Sequence, residues 1–343
     1  MRKIKLGIIG CGTIADWHAK AILASKNGEL AGVADALYKY AESFAEKYNT
    51  KAFPSVEEMI ESSEIDAVCI CTPSGFHAKY AQMAAEHGKH ILVEKPLAVL
   101  NEDCEKLIET VEKMGVSAGV ISQHRFSPAI VELKRLVDDG KLGRIITVDL
   151  LMKYYRSQEY YDSSSWRGTW ALDGGSLMNQ GIHGVDVMLY IMGPVKRVFG
   201  CTATLAHNME AEDTAVATLE FENGALAVIQ SSTAIHGGYP RRLTVSGTEG
   251  VVTVRGDSIT KCDLTDVDYI PVSKSEIDES TGFNDPKAIG NEGHIYQIQD
   301  FIDSIIGKRQ PMIPLSEGFK TVEVINAVYE SSRTGQAVVL NQK

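Results

Sequence analysis

Three polar side chains that could act on a substrate lie at helical spacing between Asp173 and Asp186. In the stretch DGGSLMNQGIHGVD, Asn179, His183 and Asp186 occupy positions i, i+4 and i+7, so a regular helix would place them on one face. Histidine titrates near neutral pH and can therefore exchange a proton with a substrate. The sequence predicts a helix that presents His183 to a pocket, and the alternative is a capped surface helix with one exposed histidine.

A glycine-rich pattern near the start of the chain is typical of phosphate binding. The apolar run from Lys3 to Ile9 leads into Gly-Cys-Gly-Thr-Ile-Ala and then into a helical run. The first glycine allows a tight turn, the second lets the backbone approach a pyrophosphate, and the small last residue lets the helix pack on the strand. A turn that binds no nucleotide is the alternative. The residues predicted to contact a dinucleotide here are Gly10, Gly12, Thr13 and Ile14.

A carboxylate follows the second predicted strand. Residues 30–34 (LAGVA) end at Asp35, roughly twenty residues beyond the glycine loop, where an acidic residue accepts hydrogen bonds from the adenosine ribose hydroxyls. The same carboxylate would repel a 2′-phosphate. The sequence therefore favours NAD over NADP, although Lys39 nearby keeps NADP as the less favoured alternative.

The turn after another predicted strand is a candidate cofactor-binding segment. The apolar run 67–71 (AVCIC) is followed by Thr72, Pro73 and, after a short turn, His77. Ligands of parallel sheets sit beyond the carboxyl ends of the strands, so we expect this turn to contact the cofactor.

The next strand, 90–93 (HILV), ends in Glu94-Lys95-Pro96. A lysine at this edge would be partly desolvated beside a nicotinamide and could relay a proton or polarise a hydroxyl group. The alternative is an ordinary solvated Glu–Lys pair. The bond before Pro96 can be cis or trans, and the sequence leaves this open.

The elements that position these residues form two domains. Strands and helices alternate over residues 1–122, which predicts an α/β Rossmann domain with a doubly wound parallel sheet. From Arg144 the apolar pattern has period two, with hairpin signals such as Glu222-Asn223-Gly224, so residues 123–343 are predicted to be an α+β domain with a large, mostly antiparallel open sheet. We expect this second domain to bind substrate and to oligomerise, with the last helices packing back toward the first. The polar stretch 263–293 is expected to be irregular.

The composition excludes several classes of partner. A net charge of -11 with no cluster of Lys and Arg argues against a nucleic-acid or anionic-membrane surface, and no apolar run reaches membrane-spanning length. The six cysteines are scattered, without the spacing of a disulfide framework or a metal site. These features favour a reducing, cytoplasmic setting and a small-molecule partner, without metal.

Several motifs, taken in order, resemble those of one enzyme family. They are GIIGCGTIA near the start, CTPSGFH at 71–77, EKPLA at 94–98, GGSLMNQGIHGVD, and the C-terminal patterns GHIYQIQDFIDSI and AVYESSRTGQAV. In this combination the chain resembles the Gfo/Idh/MocA family of nicotinamide-dependent sugar and polyol oxidoreductases. The resemblance implies NAD as cofactor, a homo-oligomer (dimer or tetramer) built through the C-terminal sheet, and cofactor contacts that include Glu94 and Gln123.

The resemblance also implies catalytic roles. The lysine of the E-K-P motif, Lys95, would work beside the substrate and the nicotinamide, and His183 would be its acid–base partner. The family commonly has an aspartate four residues before this histidine, whereas this chain has Asn179. Because an amide cannot take up a proton, we assign Asn179 to substrate positioning and Asp186 to an orienting or structural role.

The combination of SSSWRGTWALDGG with MNQGIH looks most like the branch that oxidises the 3-hydroxyl of UDP-N-acetylglucosaminuronic acid. In that branch Trp166 and Arg167 would lie near the cofactor, and Lys153, Tyr155 and Arg156 would face the sugar. Cationic side chains there suit a carboxylated substrate, because arginine binds carboxylates bidentately.

Three alternatives stay open at this point. The chain could be an inositol or simple aldose dehydrogenase of the same family, a glycoside hydrolase that uses bound NAD transiently, or a cofactor-binding sensor without catalysis. Lys95 and His183 argue against the sensor, which needs no pair of proton-transfer groups.

Overall fold

The computed structural model describes residues 3–265 and 291–340. These residues divide into two compact units. One contains residues 3–123 and 291–319, and the other contains residues 124–265 and 320–340. Residues 291–319, predicted as part of the second domain, belong to the first unit.

The first unit contains a five-stranded parallel sheet with the strand order β2-β1-β3-β4-β5, which confirms the predicted Rossmann architecture. Its strands are short and apolar because helices flank the sheet, and every residue of β3 is buried. In chain order the elements are β1 (Ile4–Ile9), α1 (Thr13–Ala24), β2 (Gly28–Ala34), α2 (Tyr38–Tyr48), α3 (Val56–Glu61), β3 (Ala67–Ile70), α4 (His77–Glu86), β4 (His90–Val93), α5 (Asn101–Met114) and β5 (Ala118–Val120).

The second unit is built on an eight-stranded sheet with the order β12-β11-β10-β6-β9-β8-β7-β13. All its pairs are antiparallel except β6 with β9, so the prediction of a mostly antiparallel sheet is confirmed. The hairpin predicted at Glu222-Asn223-Gly224 joins β8 to β9, and Gly224 has a φ of 85° there. The elements are α6 (Pro128–Asp138), β6 (Ile145–Lys153), α7 (Gln158–Asp162), α8 (Ile182–Met192), β7 (Val195–Ala203), β8 (Thr214–Phe221), β9 (Leu226–Ser232), β10 (Arg242–Gly247), β11 (Gly250–Arg255) and β12 (Ser258–Leu264).

The C-terminal part of the chain supplies α9 (Glu292–Gly307), α10 (Leu315–Thr334) and β13 (Val338–Val339). Helix α9 packs on α1 within the first unit, where Gln297 donates to the carbonyl of Val120 at 2.6 Å and accepts from the N–H of Ser122 at 2.9 Å. A helix remote in sequence is therefore hydrogen-bonded to the end of β5, an edge strand of the parallel sheet. Most of the stretch 263–293 lies outside the described residues. Among the described helices, none is both long and apolar enough to cross a membrane.

Candidate active site

The glycine loop follows β1 and is shaped by two different constraints. Gly10 has a φ of 92°, and a Cβ atom there would lie 2.7 Å from the carbonyl oxygen of Cys71. Only glycine fits this position without strain. A Cβ atom on Gly12, by contrast, would meet nothing within 4 Å. The backbone at Gly12 thus faces open space directly before Thr13, where α1 begins, which suits a pyrophosphate at a helix N-terminus.

Asp35 follows β2 and holds the loop in place. One carboxylate oxygen accepts from the N–H of Cys11 at 2.8 Å, and the other accepts from the N–H of Leu37 at 2.9 Å. A carboxylate has about four lone-pair sites, so each oxygen keeps acceptor capacity for a ribose hydroxyl. Asp35 is only half-buried and can therefore meet a ligand.

Two buried oxygen atoms near the carboxyl ends of the strands provide a test of the cofactor fit. In the described part of the chain, Thr72 Oγ1 and Gln123 Oε1 have no hydrogen-bond partner. A buried polar atom without a partner costs free energy, which a ligand can recover. Together with the open space beside Gly12 and the carboxylate of Asp35, these atoms fit a dinucleotide.

The E-K-P turn follows β4 and is anchored on both sides of Lys95. The Glu94 carboxylate accepts the N–H of Lys95 at 3.1 Å, and the Lys95–Pro96 peptide is cis. The ring nitrogens of His77 lie 2.6 Å from the carbonyl oxygen of Pro96 and 2.9 Å from that of Thr72. Lys95 itself is half-buried, so the backbone of the turn is fixed while the side chain stays accessible.

Both ring nitrogens of His77 contact backbone carbonyl oxygens of these turns. It is 2% exposed, and burial lowers the pKa of the imidazole, although the hydrogen bonds to Pro96 and Thr72 oppose this. The cofactor contact predicted for His77 remains a prediction. Through its imidazole nitrogens, His77 can affect a bound cofactor only by holding the backbone at Thr72 and Pro96 in place.

In the second unit, the stretch predicted as one regular helix begins with a π-helical turn, Leu177–Gly181, and continues as α8. Its start is held by the buried Glu212, whose carboxyl accepts from Leu177 N at 2.8 Å and from Tyr329 Oη at 3.1 Å. Burial raises the pKa of Glu212 to about 8.

The expectation that Asn179, His183 and Asp186 share one face remains a prediction. A π turn closes hydrogen bonds from i to i+5, so the helix is not regular between Asn179 and His183. Asn179 donates to the buried carboxylate of Asp173, whereas Asp186 binds Arg125.

His183 is half-buried and packs edge-on against a second histidine. The ring centroids of His183 and His124 are 4.9 Å apart, and Nδ1 of His124 lies 3.7 Å from a carboxylate oxygen of Asp257. His124 was not singled out from the sequence. The available signal was its position in Q-H-R-F directly after the last strand of the parallel sheet.

The pair Arg125–Asp186 anchors α8 to the residues just before α6. The guanidinium donates to both carboxylate oxygens, at 3.0 and 2.7 Å, and the two side chains are each 7% exposed. This bidentate geometry in a buried place supports the structural role inferred for Asp186.

Two side chains predicted to meet ligands, Arg156 and Arg167, contact Tyr160, and two others, Trp166 and Asn179, are linked to them. The guanidinium carbons of Arg167 and Arg156 lie 4.2 and 5.7 Å from the centre of the Tyr160 ring, and Arg167 also donates to its hydroxyl at 2.6 Å. Arg167 stacks on Trp166 at 4.5 Å. The side-chain amide of Gln180 accepts a hydrogen bond from the Arg156 guanidinium at 2.8 Å and donates one to the side-chain oxygen of Asn179 at 3.0 Å. It therefore links Arg156 to Asn179.

The remaining sugar-facing candidates lie at and beyond the end of β6. Lys153 is half-buried, and Tyr155 is exposed with its ring 6.5 Å from that of His236. Arg156 is buried, and its carbonyl accepts a hydrogen bond from the ring of His207. The structure thus groups Arg156, Asn179 and Arg167 in one polar network and leaves Lys153 and Tyr155 nearer the surface.

Comparison with known proteins places this geometry in a family. Residues 4–122 match the oxidoreductase family with an NAD-binding Rossmann fold, and residues 130–253 match the GFO/IDH/MocA C-terminal domain. The chain is 32% identical to the uncharacterized oxidoreductase YrbE of Bacillus subtilis (strain 168) over 80% of each protein. It is 28% identical to scyllo-inositol 2-dehydrogenase (NAD(+)) of the same organism, over 99% of this chain and 97% of the relative.

A solved structure agrees over the whole chain. The WlbA dehydrogenase from Bordetella pertussis, in complex with NADH and UDP-GlcNAcA, is 30% identical, with full coverage of both chains and a TM-score of 0.90. The predicted family, fold class, cofactor and enzyme class are thereby confirmed. The chain belongs to the Gfo/Idh/MocA family and is an NAD-dependent oxidoreductase.

Proposed function

We propose that the enzyme oxidises a ring hydroxyl of a sugar, with transfer of hydride to NAD. The observation that carries this proposal is the half-buried Lys95 on a turn whose backbone is held by Glu94 and His77, at the sheet edge that also carries the glycine loop. A lysine fixed in this way can act at one defined point beside a cofactor.

The side chains divide the proton chemistry between them. Bound NAD supplies the hydride acceptor. His183 takes the proton of the substrate hydroxyl, and Lys95 stabilises the developing alkoxide or relays the proton. Asn179 has no titratable proton and positions the substrate, with its amide held by Asp173 and Gln180.

The substrate we propose is a UDP-linked N-acetylhexosaminuronate, oxidised at its 3-hydroxyl. The full-length similarity to the Bordetella enzyme that was solved with UDP-GlcNAcA supports this choice. The two guanidinium groups of Arg156 and Arg167 beside Tyr160 offer charge that suits a carboxylate.

An uncharged polyol is the second candidate substrate, because the scyllo-inositol relative matches almost the whole chain. A screen of NADH formation with UDP-N-acetylglucosaminuronate, UDP-N-acetylglucosamine, inositols and simple aldoses separates the two. Turnover of the uronate well above that of its uncharged counterpart supports the proposal, whereas preference for inositols overturns the substrate. Release of an aglycone without net NADH would indicate the hydrolase instead.

The open face of the large sheet is the surface through which we infer a homo-oligomer. Phe199, Val216 and Leu226 project from β7, β8 and β9 on the same face and are 45%, 45% and 57% exposed. Apolar side chains that cluster on a strand face mark an interaction surface. A charged substitution, Phe199→Glu, is expected to lower the molar mass measured by light scattering, and an unchanged mass would contradict this surface.

A further inference from the structure

A buried cluster of two histidines and one glutamate lies in the Rossmann unit. His18 and His294 have no exposed surface, and Glu94 is 4% exposed. His18 Nε2 lies 2.8 Å from Glu94 Oε1, and His294 Nε2 lies 3.4 Å from the same oxygen. The three residues come from α1, from the end of β4 and from α9, so the cluster joins parts of the chain that are remote in sequence.

The geometry of the cluster is that of a hydrogen-bond network and not of a metal site. Two ligands at about 2.0–2.1 Å from one tetrahedral zinc ion are separated by roughly 3.3 Å. The 2.8 Å between His18 and Glu94 is shorter than this separation and equals an ordinary charge-assisted hydrogen bond.

The positions of the protons follow from the burial. In the described part of the chain, Nδ1 of His18 and both ring nitrogens of His294 have no partner within ordinary hydrogen-bond geometry. A proton on Nδ1 of His18 would leave a buried donor unsatisfied, which costs more than an unused acceptor lone pair among apolar groups. The tautomer of His18 with Nε2–H is therefore favoured and its N–H faces Glu94, while Nε2 of His294 faces the same oxygen at the longer distance of 3.4 Å. Burial would raise the pKa of Glu94, but these two histidines hold it well below its ordinary value.

The second carboxylate oxygen of Glu94 connects the cluster to the active site. Glu94 Oε2 accepts the backbone N–H of Lys95 at 3.1 Å. We propose that His18 and His294 are positioning residues, which orient the Glu94 carboxylate and through it the backbone from which Lys95 acts. This inference rests on the catalytic role proposed for Lys95. Because α1 directly follows the glycine loop, the network also ties the lysine to the helix that meets the cofactor.

The first test compares substitutions of similar size in the folded enzyme. In His294→Leu and His18→Leu the N–H donor is lost, and kcat is expected to fall at least about tenfold, because small displacements of a catalytic group reduce rate steeply. In His294→Gln and His18→Gln the side-chain amide replaces the Nε2–H donor, and kcat should stay within about threefold of the native value. The dissociation constant of NADH, measured by fluorescence, reports separately on the cofactor site.

A matched control is available in the same sheet. His90 is half-buried and its Nδ1 accepts the N–H of Ser117 at 2.9 Å. His90→Leu removes a comparable histidine from the same unit and should leave kcat unchanged. Equal losses in the leucine variants of all three histidines would show a general packing effect and overturn the inference.

A second measurement needs no substrate. Reductive methylation with ¹³C-formaldehyde labels lysine amines, and the signal missing in Lys95→Arg identifies Lys95. We expect its NMR resonance to shift in His18→Leu and His294→Leu but not in His90→Leu, and an unshifted resonance in folded protein overturns the inference.

The two proposals can fail separately. If Lys95→Ala retains full turnover, the role proposed for Lys95 is wrong, and the resonance still decides whether the histidines position the turn. If Lys95→Ala is inactive while the leucine variants keep full turnover, only the positioning inference fails.

Discussion

The two units hold their candidate active-site residues in different ways. In the Rossmann unit the important positions follow directly from strand ends and from the backbone: Gly10 must be glycine because of its positive φ, and Lys95 lies two residues beyond the last residue of β4. In the second unit His183 lies on a helix whose start is held by Glu212 and whose middle is held by Arg125. The backbone itself fixes the glycine loop, whereas buried groups remote in sequence hold the helix that carries His183.

The largest effect that tests this comparison is expected at His183. We expect His183→Ala to reduce kcat by about 10²- to 10⁴-fold, since a general base typically contributes this much, while NADH binding stays near native. Steady-state kinetics together with fluorescence titration of NADH would measure both quantities.

The control for this substitution is His87→Ala, which removes an exposed histidine that directly follows α4. It should leave both quantities unchanged. Turnover of His183→Ala equal to that of the native enzyme would refute the assignment of proton transfer to the second unit.

The buried Arg125–Asp186 pair should contribute to stability rather than to chemistry. Asp186→Asn leaves the Arg125 guanidinium buried without its ionic partner, which is expected to lower the free energy of unfolding by about 3–5 kcal/mol. Urea denaturation measures this loss. The surface ion pairs of Glu220 with Lys196 and Arg197 provide a control through Glu220→Gln, which should change stability little. If Asp186→Asn lost turnover without losing stability, Asp186 would belong to the chemistry.

These contrasts explain how far the sequence could predict the site. The fold followed from the change of apolar period and from the glycine loop, because both are local properties of the chain. The π turn at Leu177–Gly181 could not be predicted, since it depends on contacts with Glu212 and Tyr329, which lie far along the sequence.

The same limit applies to the buried histidines. Residue type and spacing assign no role to His294, because its place beside Glu94 arises only when α9 packs on α1. His77 was predicted as a cofactor contact, yet both of its nitrogens face backbone carbonyls. Residue type and spacing identified the candidate segments of the site, whereas the partners of each side chain required the tertiary structure.

The helix start in the second unit should also respond to pH. The pKa of Glu212 is raised from 4.5 to about 8, so the folded protein keeps a proton that the unfolded chain releases above pH 4.5. The contribution of Glu212 to stability is therefore complete below pH 4.5 and is lost as the pH rises toward 8, by up to about 1.4 kcal/mol per pH unit.

The neutral isostere Glu212→Gln isolates this effect from other titrating groups. Its amide oxygen can still accept the N–H of Leu177. As the pH rises from 5 to about 8, the free energy of unfolding of the variant should therefore increase relative to that of the native protein. A difference that does not change with pH would show that Glu212 is ionised in the folded protein.

The smallest effect is expected in the glycine loop, where alanine substitutions at Gly12 and Gly10 should act differently. Gly12→Ala adds a methyl group where nothing lies within 4 Å, so the melting temperature should be unchanged, but the methyl group enters the space inferred for the pyrophosphate. We expect the dissociation constant of NADH to rise at least about tenfold, equivalent to about 1.4 kcal/mol. Gly10→Ala should instead lower the melting temperature, because its Cβ atom would lie 2.7 Å from the Cys71 carbonyl oxygen in a backbone conformation that suits glycine. If Gly12→Ala bound NADH normally, the dinucleotide would have to be placed away from this loop, and the local geometry of the Rossmann unit would not define the cofactor site.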